Sequence, residues 1–114
     1  MPPRVNNFGH AVWYGPDGSN YNDWEIFFYD GATVHQVTDN IYDDQNPDIN
    51  NNDEIVWVGY DGTRWNLYKA TGVSAGVSIS QEVSASALLH INNNGEVVWH
   101  GTLKGQYEIG RAHV

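Results

Sequence analysis

Five side chains stand where they could meet a ligand. Trp24 and Trp65 each open a short apolar run directly after a polar loop, and an indole so placed offers a flat face for stacking a sugar ring. Arg4, Asp48 and His90 occupy one equivalent position, just before a Val or Ile, in three related stretches of chain. A cation, a carboxylate and an imidazole recurring there would make a polar ring of mixed charge, suited to a protein, peptide or glycan ligand.

Other chemistries find less support. Asp39 to Asp48 is dense in oxygen donors of the kind Ca²⁺ takes. Counted as an EF-hand loop from Asp44, however, it puts Ile49 where glycine is needed and Ile55 where the closing Glu is needed. The corresponding linker Ser84-Ala85-Ser86-Ala87-Leu88 has no acidic residue, so no metal and no cofactor is assigned. The five histidines (His10, His35, His90, His100, His113) show neither HxH nor HExxH spacing. There is no GxSxG elbow and no phosphate-binding glycine loop. Asp43 and Asp44 are chain neighbours, which does not by itself set the separation a glycosidase pair requires. His90 facing Asp48 would be an acid–base pair without an activated nucleophile. The expectation is a protein without catalytic residues, not an enzyme.

Charge narrows the partners. The 114 residues carry 14 acidic and 5 basic side chains, a formal net charge of −9. Such a field repels phosphate backbones and anionic lipid, so neither nucleic acid nor membrane is expected as a partner. No cysteine is present, which removes disulfides, thiolate zinc sites and a cysteine nucleophile. Five tryptophans argue for a packed fold.

The elements that position these residues follow from an internal repeat. Val5-Asn6-Asn7-Phe8-Gly9-His10-Ala11-Val12-Trp13-Tyr14-Gly15 aligns without gaps to Ile49-Asn50-Asn51-Asn52-Asp53-Glu54-Ile55-Val56-Trp57-Val58-Gly59. Both align to Ile91-Asn92-Asn93-Asn94-Gly95-Glu96-Val97-Val98-Trp99-His100-Gly101. A second match follows each: Trp24-Glu25-Ile26, Trp65-Asn66-Leu67 and Tyr107-Glu108-Ile109. The runs are short, β-branched and aromatic, and apolar on both faces, which suits strands covered on both sides. Asn94-Gly95, Asp17-Gly18, Asp61-Gly62 and Asp30-Gly31 separate them as tight-turn signals. The reading is all-β, with four-stranded antiparallel meanders and no helix. Blade 1 spans 3–46, blade 2 spans 47–87 and a partial blade 3 spans 88–114, which together make one domain.

The segment Tyr42-Asp43-Asp44-Gln45-Asn46-Pro47-Asp48-Ile49 through Trp57, with Asp61-Gly62 and Trp65-Asn66-Leu67-Tyr68, resembles a blade of the TolB-type or WD40-like (PD40) β-propeller repeats. The resemblance implies a propeller. Its blades serve as interaction scaffolds, as lectin-like modules or as domains appended to peptidases, so the ligand stays open. Asn-rich turns replace the family's usual Ser-Pro-Asp-Gly.

About three blades form an open arc, whereas closed propellers commonly have about four to eight blades. An open arc leaves an apolar blade face bare at each end, and monomers rarely leave such patches uncovered. The expected solution is a homodimer closing a six-bladed ring. The functional expectation is a non-catalytic binding module with its ligand at the ring face or channel mouth. Two alternatives stand beside it: a carbohydrate-binding lectin with one aromatic site per blade, and a structural fragment of a longer propeller protein.

Overall fold

The computed structural model describes residues 3–18, 23–72, 77–103 and 106–113, with backbone alone for 77–81, 102–103, 106–109 and 111–113. Eleven strands and no helix are present among the described residues. They form three antiparallel sheets, each joined in chain order. The first holds β1 (Arg4–Val5), β2 (Ala11–Pro16), β3 (Trp24–Tyr29) and β4 (Val34–Gln36). β5 (Asp44–Ile49), β6 (Glu54–Tyr60), β7 (Trp65–Thr71) and β8 (Val77–Glu82) make the second. The third has three strands, β9 (Leu88–Ile91), β10 (Glu96–Leu103) and β11 (Gln106–His113). The side chains of Tyr107, Glu108 and Ile109, which form the third copy of the second repeat match, lie outside those described.

Each first strand is joined to the second by a turn that needs one residue in the left-handed region. Gly9, Asp53 and Gly95 hold it at φ of 77°, 58° and 82°. Glycine takes this conformation freely. Asp53 takes it with its carboxylate held by the His10 ring (2.8 Å) and the Asn6 amide (2.9 Å) of the first sheet. Asn6, Asn50 and Asn92 close the turns: each side-chain oxygen accepts two backbone N–H groups within its own turn.

The same asparagines link the sheets. Asn6 Nδ2 donates to the Asn50 carbonyl at 3.0 Å, and Asn50 Nδ2 donates to the Asn92 carbonyl at 2.9 Å. Alongside, the Asn7 N–H donates to Asn51 Oδ1 and the Asn51 N–H to Asn93 Oδ1, both at 2.8 Å. A repeated sequence therefore gives a repeated inter-sheet bond in one register.

Apolar packing follows the same plan. Val12, Ile26 and Phe28 of the first sheet pack against Ile49, Ile55, Trp57 and Ala70 of the second. The opposite face of the second sheet sets Val56, Val58 and Leu67 against Ala87, Leu89, Ile91 and Val97. This explains why β6 reads apolar on both faces: it is covered on both.

The second half of the acidic stretch Asp39 to Asp48 is strand, part of β5. A bulge between Gln45 and Asp48, with Asn46 at φ 56°, takes up Pro47, which has no N–H to give the ladder. The second sheet thus begins at Asp44, ahead of that proline.

Candidate functional site

Strands alternate in direction, so the β1–β2 and β3–β4 turns emerge on one face and the β2–β3 and β4–β5 connections on the other. The five residues singled out from sequence fall into two groups.

Arg4, Asp48 and His90 meet at the edge formed by the first strands of the three sheets. Arg4 Nε lies 3.3 Å from Asp48 Oδ1, and Arg4 Nη2 lies 3.5 Å from His90 Nδ1. Asp48 Oδ2 accepts the Ile91 N–H at 2.9 Å. Asp48 is thereby used twice, once toward each flanking sheet, and is only 8% exposed. The cluster works as an inter-sheet staple along the inner strands.

Trp24 and Trp65 come together in one cleft on the opposite face from the asparagine ladder. They do not form one aromatic site per blade, as the lectin alternative expects, because Trp24 opens β3 at the junction where Trp65 of the next sheet arrives. The cleft has a volume of about 330 Å³ and is lined also by Ile41, Tyr42 and Tyr60, with Asp23 and Asp43 as its carboxylates. Asp43 ties the two sheets together: its Oδ1 accepts the Trp24 N–H at 2.9 Å and its carbonyl accepts the Tyr60 N–H at 3.0 Å.

Beside the cleft lies a group of acids of which sequence reasoning weighed only Asp44, as the start of an EF-hand count and as the chain neighbour of Asp43. Glu25 is fully buried and Asp44 is 3% exposed. Glu25 accepts from the Thr38 hydroxyl (3.1 Å) and the Asn40 N–H (2.7 Å). Asp44 accepts from the Asn40 amide (2.8 Å) and the Trp57 indole (3.2 Å). Burial, and then the hydrogen bond to Asp44, push the Glu25 carboxyl up to about 8; burial also raises Asp44. Glu25 accordingly favours its protonated form at neutral pH. Oxygens of Asp17, Asp23 and Glu25 lie within 4.8 Å of one another, a spacing one hard cation could bridge.

A sequence signal for these residues does exist. Glu25 corresponds to Asn66, and the linker Tyr42-Asp43-Asp44 has only Ser84-Ala85-Ser86-Ala87 as its counterpart at the second junction. The aromatic that opens the second match recurs, and Glu108 stands at the Glu25 position in the third copy, but the Tyr42-Asp43-Asp44 linker has no like counterpart.

No family model matches the chain, and no curated protein matches it in sequence. Among solved structures it is similar to the β-propeller domain of the Trilobed protease from Pyrococcus furiosus, described as having an open velcro topology. The TM-score is 0.64 at 18% identity, over 94% of this chain and 33% of that one. It is also similar to the acylaminoacyl peptidase of Pyrococcus horikoshii, with a TM-score of 0.62 at 16% identity, over 92% of this chain and 17% of that one. The fold is therefore of the β-propeller type. The chain spans a third or less of either similar protein. That finding overturns the main functional expectation, a non-catalytic binding module with its ligand at the ring face or channel mouth: the similar blades are parts of much longer chains, and the propeller-segment alternative fits better.

Proposed function

We propose that the chain is a three-blade segment of a β-propeller, of the PD40 type, and that its role is architectural: it supplies consecutive blades to a ring that further blades complete. One comparison carries this. Val12, Val56 and Val98 hold the same place in the repeat; the first two are 0% exposed, and Val98, on the last sheet, is 45% exposed. A groove of about 370 Å³ runs beside it, lined by His90, Ile91, Asn92 and Glu96. At the other end, Trp13 stacks on Phe27 at 5.9 Å and 15°, as Trp57 stacks on Tyr68 at 5.9 Å and 16°. Trp57 is covered by the preceding sheet; Trp13 stays half-exposed. Both ends thus present a face that, inside the segment, is an inter-sheet contact.

The ladder register favours a second copy as one supplier of the missing half, giving six blades. Asn92 and Asn93 would meet Asn6 and Asn7 of that copy as Asn50 and Asn51 meet Asn92 and Asn93. Since the chain has no cysteine, the test is direct. Asn7→Cys combined with Asn93→Cys is expected to form an intermolecular disulfide under mild oxidation, seen as a covalent dimer on a denaturing gel. Asn7→Cys combined with Asn51→Cys, expected to close within one chain, is the control. A control that closes while the first pair stays monomeric would remove the second copy as supplier.

A further inference from the structure

The Trp24–Trp65 cleft displays chemistry that ring building does not need. Four rings wall it. Tyr42 meets Tyr60 edge-on at 5.5 Å, Trp65 packs on Tyr60 at 5.4 Å, and Trp24 is backed by Tyr14 at 4.9 Å. Trp24 and Tyr42 keep 43% and 37% of their surface exposed, so ring faces remain available. The acids Asp23 and Asp43 share the lining, and none of the described lining residues is cationic.

This combination selects a class of ligand. The faces of aromatic rings carry negative quadrupole charge and attract a cation. Carboxylates only accept hydrogen bonds, and an ammonium group only donates them, so lining and ligand are complementary. A sugar could use the tyrosine hydroxyls and indole N–H groups as donors, but it would leave the negative charge of the lining unanswered, which an ammonium does not. The net charge of −9 draws cations toward the surface. The second junction has the same fold but places Ser84, Ala85 and Ser86 in the linker and Asn66 beside Trp65, so packing does not demand these groups.

We propose that the cleft between the first two blades binds the ammonium group of a lysine-type side chain presented by a peptide or protein partner. The site lies within the segment and holds whichever blades complete the ring.

The test titrates the chain with n-butylammonium, following tryptophan fluorescence, beside two neutral probes, pentan-1-ol and methyl α-D-glucoside. Saturable binding of the ammonium, at least about tenfold tighter than either neutral probe, is expected. Asp43→Asn keeps an oxygen for the Trp24 N–H while removing the charge, and should weaken the ammonium about tenfold with an unchanged melting temperature. Tyr42→Ala, at a partly exposed ring, should weaken it similarly and guards against a folding defect in the first variant. Equal binding of pentan-1-ol would make the cleft a plain apolar groove, and preference for the glucoside would make it a sugar platform. Either result overturns the proposal, as does an ammonium affinity that both variants leave unchanged.

Discussion

Glu25→Gln is expected to make the protein more stable at pH 8 and to flatten its stability profile between pH 4.5 and 8. The ordinary carboxyl value for Glu25 is 4.5 and the folded value is about 8. Between those limits the folded chain holds a proton that the unfolded chain has released. Stability therefore falls as pH rises through that window, by at most about 1.4 kcal/mol per pH unit, and levels off above it. The groups facing Glu25 reinforce this direction: the hydrogen bond to Asp44 and its negative charge disfavour the Glu25 carboxylate, and Asp17 and Asp23 are within 4.8 Å of it. A glutamine amide is neutral at every pH and can still donate to Asp44, so the variant should gain about 2–4 kcal/mol at pH 8 and little at pH 5. Asp30 and Asp61 act oppositely. His35 holds the first, and the Arg64 N–H the second, below the ordinary carboxyl range, so their contribution is lost only as pH falls below about 4. Urea midpoints measured at pH 5 and pH 8 on both proteins check the expectation. A parent whose midpoint does not change between the two would contradict it.

Trp57→Ala should have the larger effect at a single pH. Trp57 is 2% exposed, sits in the core shared by the first two sheets, and gives its indole N–H to the buried Asp44. Truncating a buried tryptophan costs about 3–5 kcal/mol, and here it also removes a partner from a buried carboxyl. Against a domain stability of about 5–15 kcal/mol, that leaves the chain partly or wholly unfolded. Trp57→Phe keeps most of the ring and should retain a cooperative transition. Far-UV circular dichroism with urea titration separates the outcomes; an alanine variant as stable as the phenylalanine variant would show that this core is not what joins the sheets.

The fold was legible because duplication printed it three times. Trp13, Trp57 and Trp99, the Asn pairs and the turn dipeptides mark the strands without any knowledge of packing. The staple residues Arg4, Asp48 and His90 were legible for the same reason, although position alone did not reveal that Asp48 is consumed by Arg4 and the Ile91 N–H. The cleft was half visible. Trp24 and Trp65 stood out by type, but 41 residues separate them, and only the stagger of neighbouring sheets brings them to one junction. Glu25 escaped notice since a glutamate next to a tryptophan reads as a solvated strand residue; its burial depends on the linker through Thr38 and Asn40 folding over it. The strand at Asp44 was hidden by Pro47, whose disruption a single left-handed Asn46 absorbs.

Whether the two bare ends are contact faces of a ring is settled most directly by the mass of the chain in solution. Static light scattering on the eluting protein should give twice 12.8 kDa, with Val98→Asp reducing it to a single chain. A species of 12.8 kDa that stays monodisperse at high concentration and unfolds cooperatively would contradict closure of the ring by a second copy, and with it the claim that the faces at Val98 and Trp13 drive association of this chain.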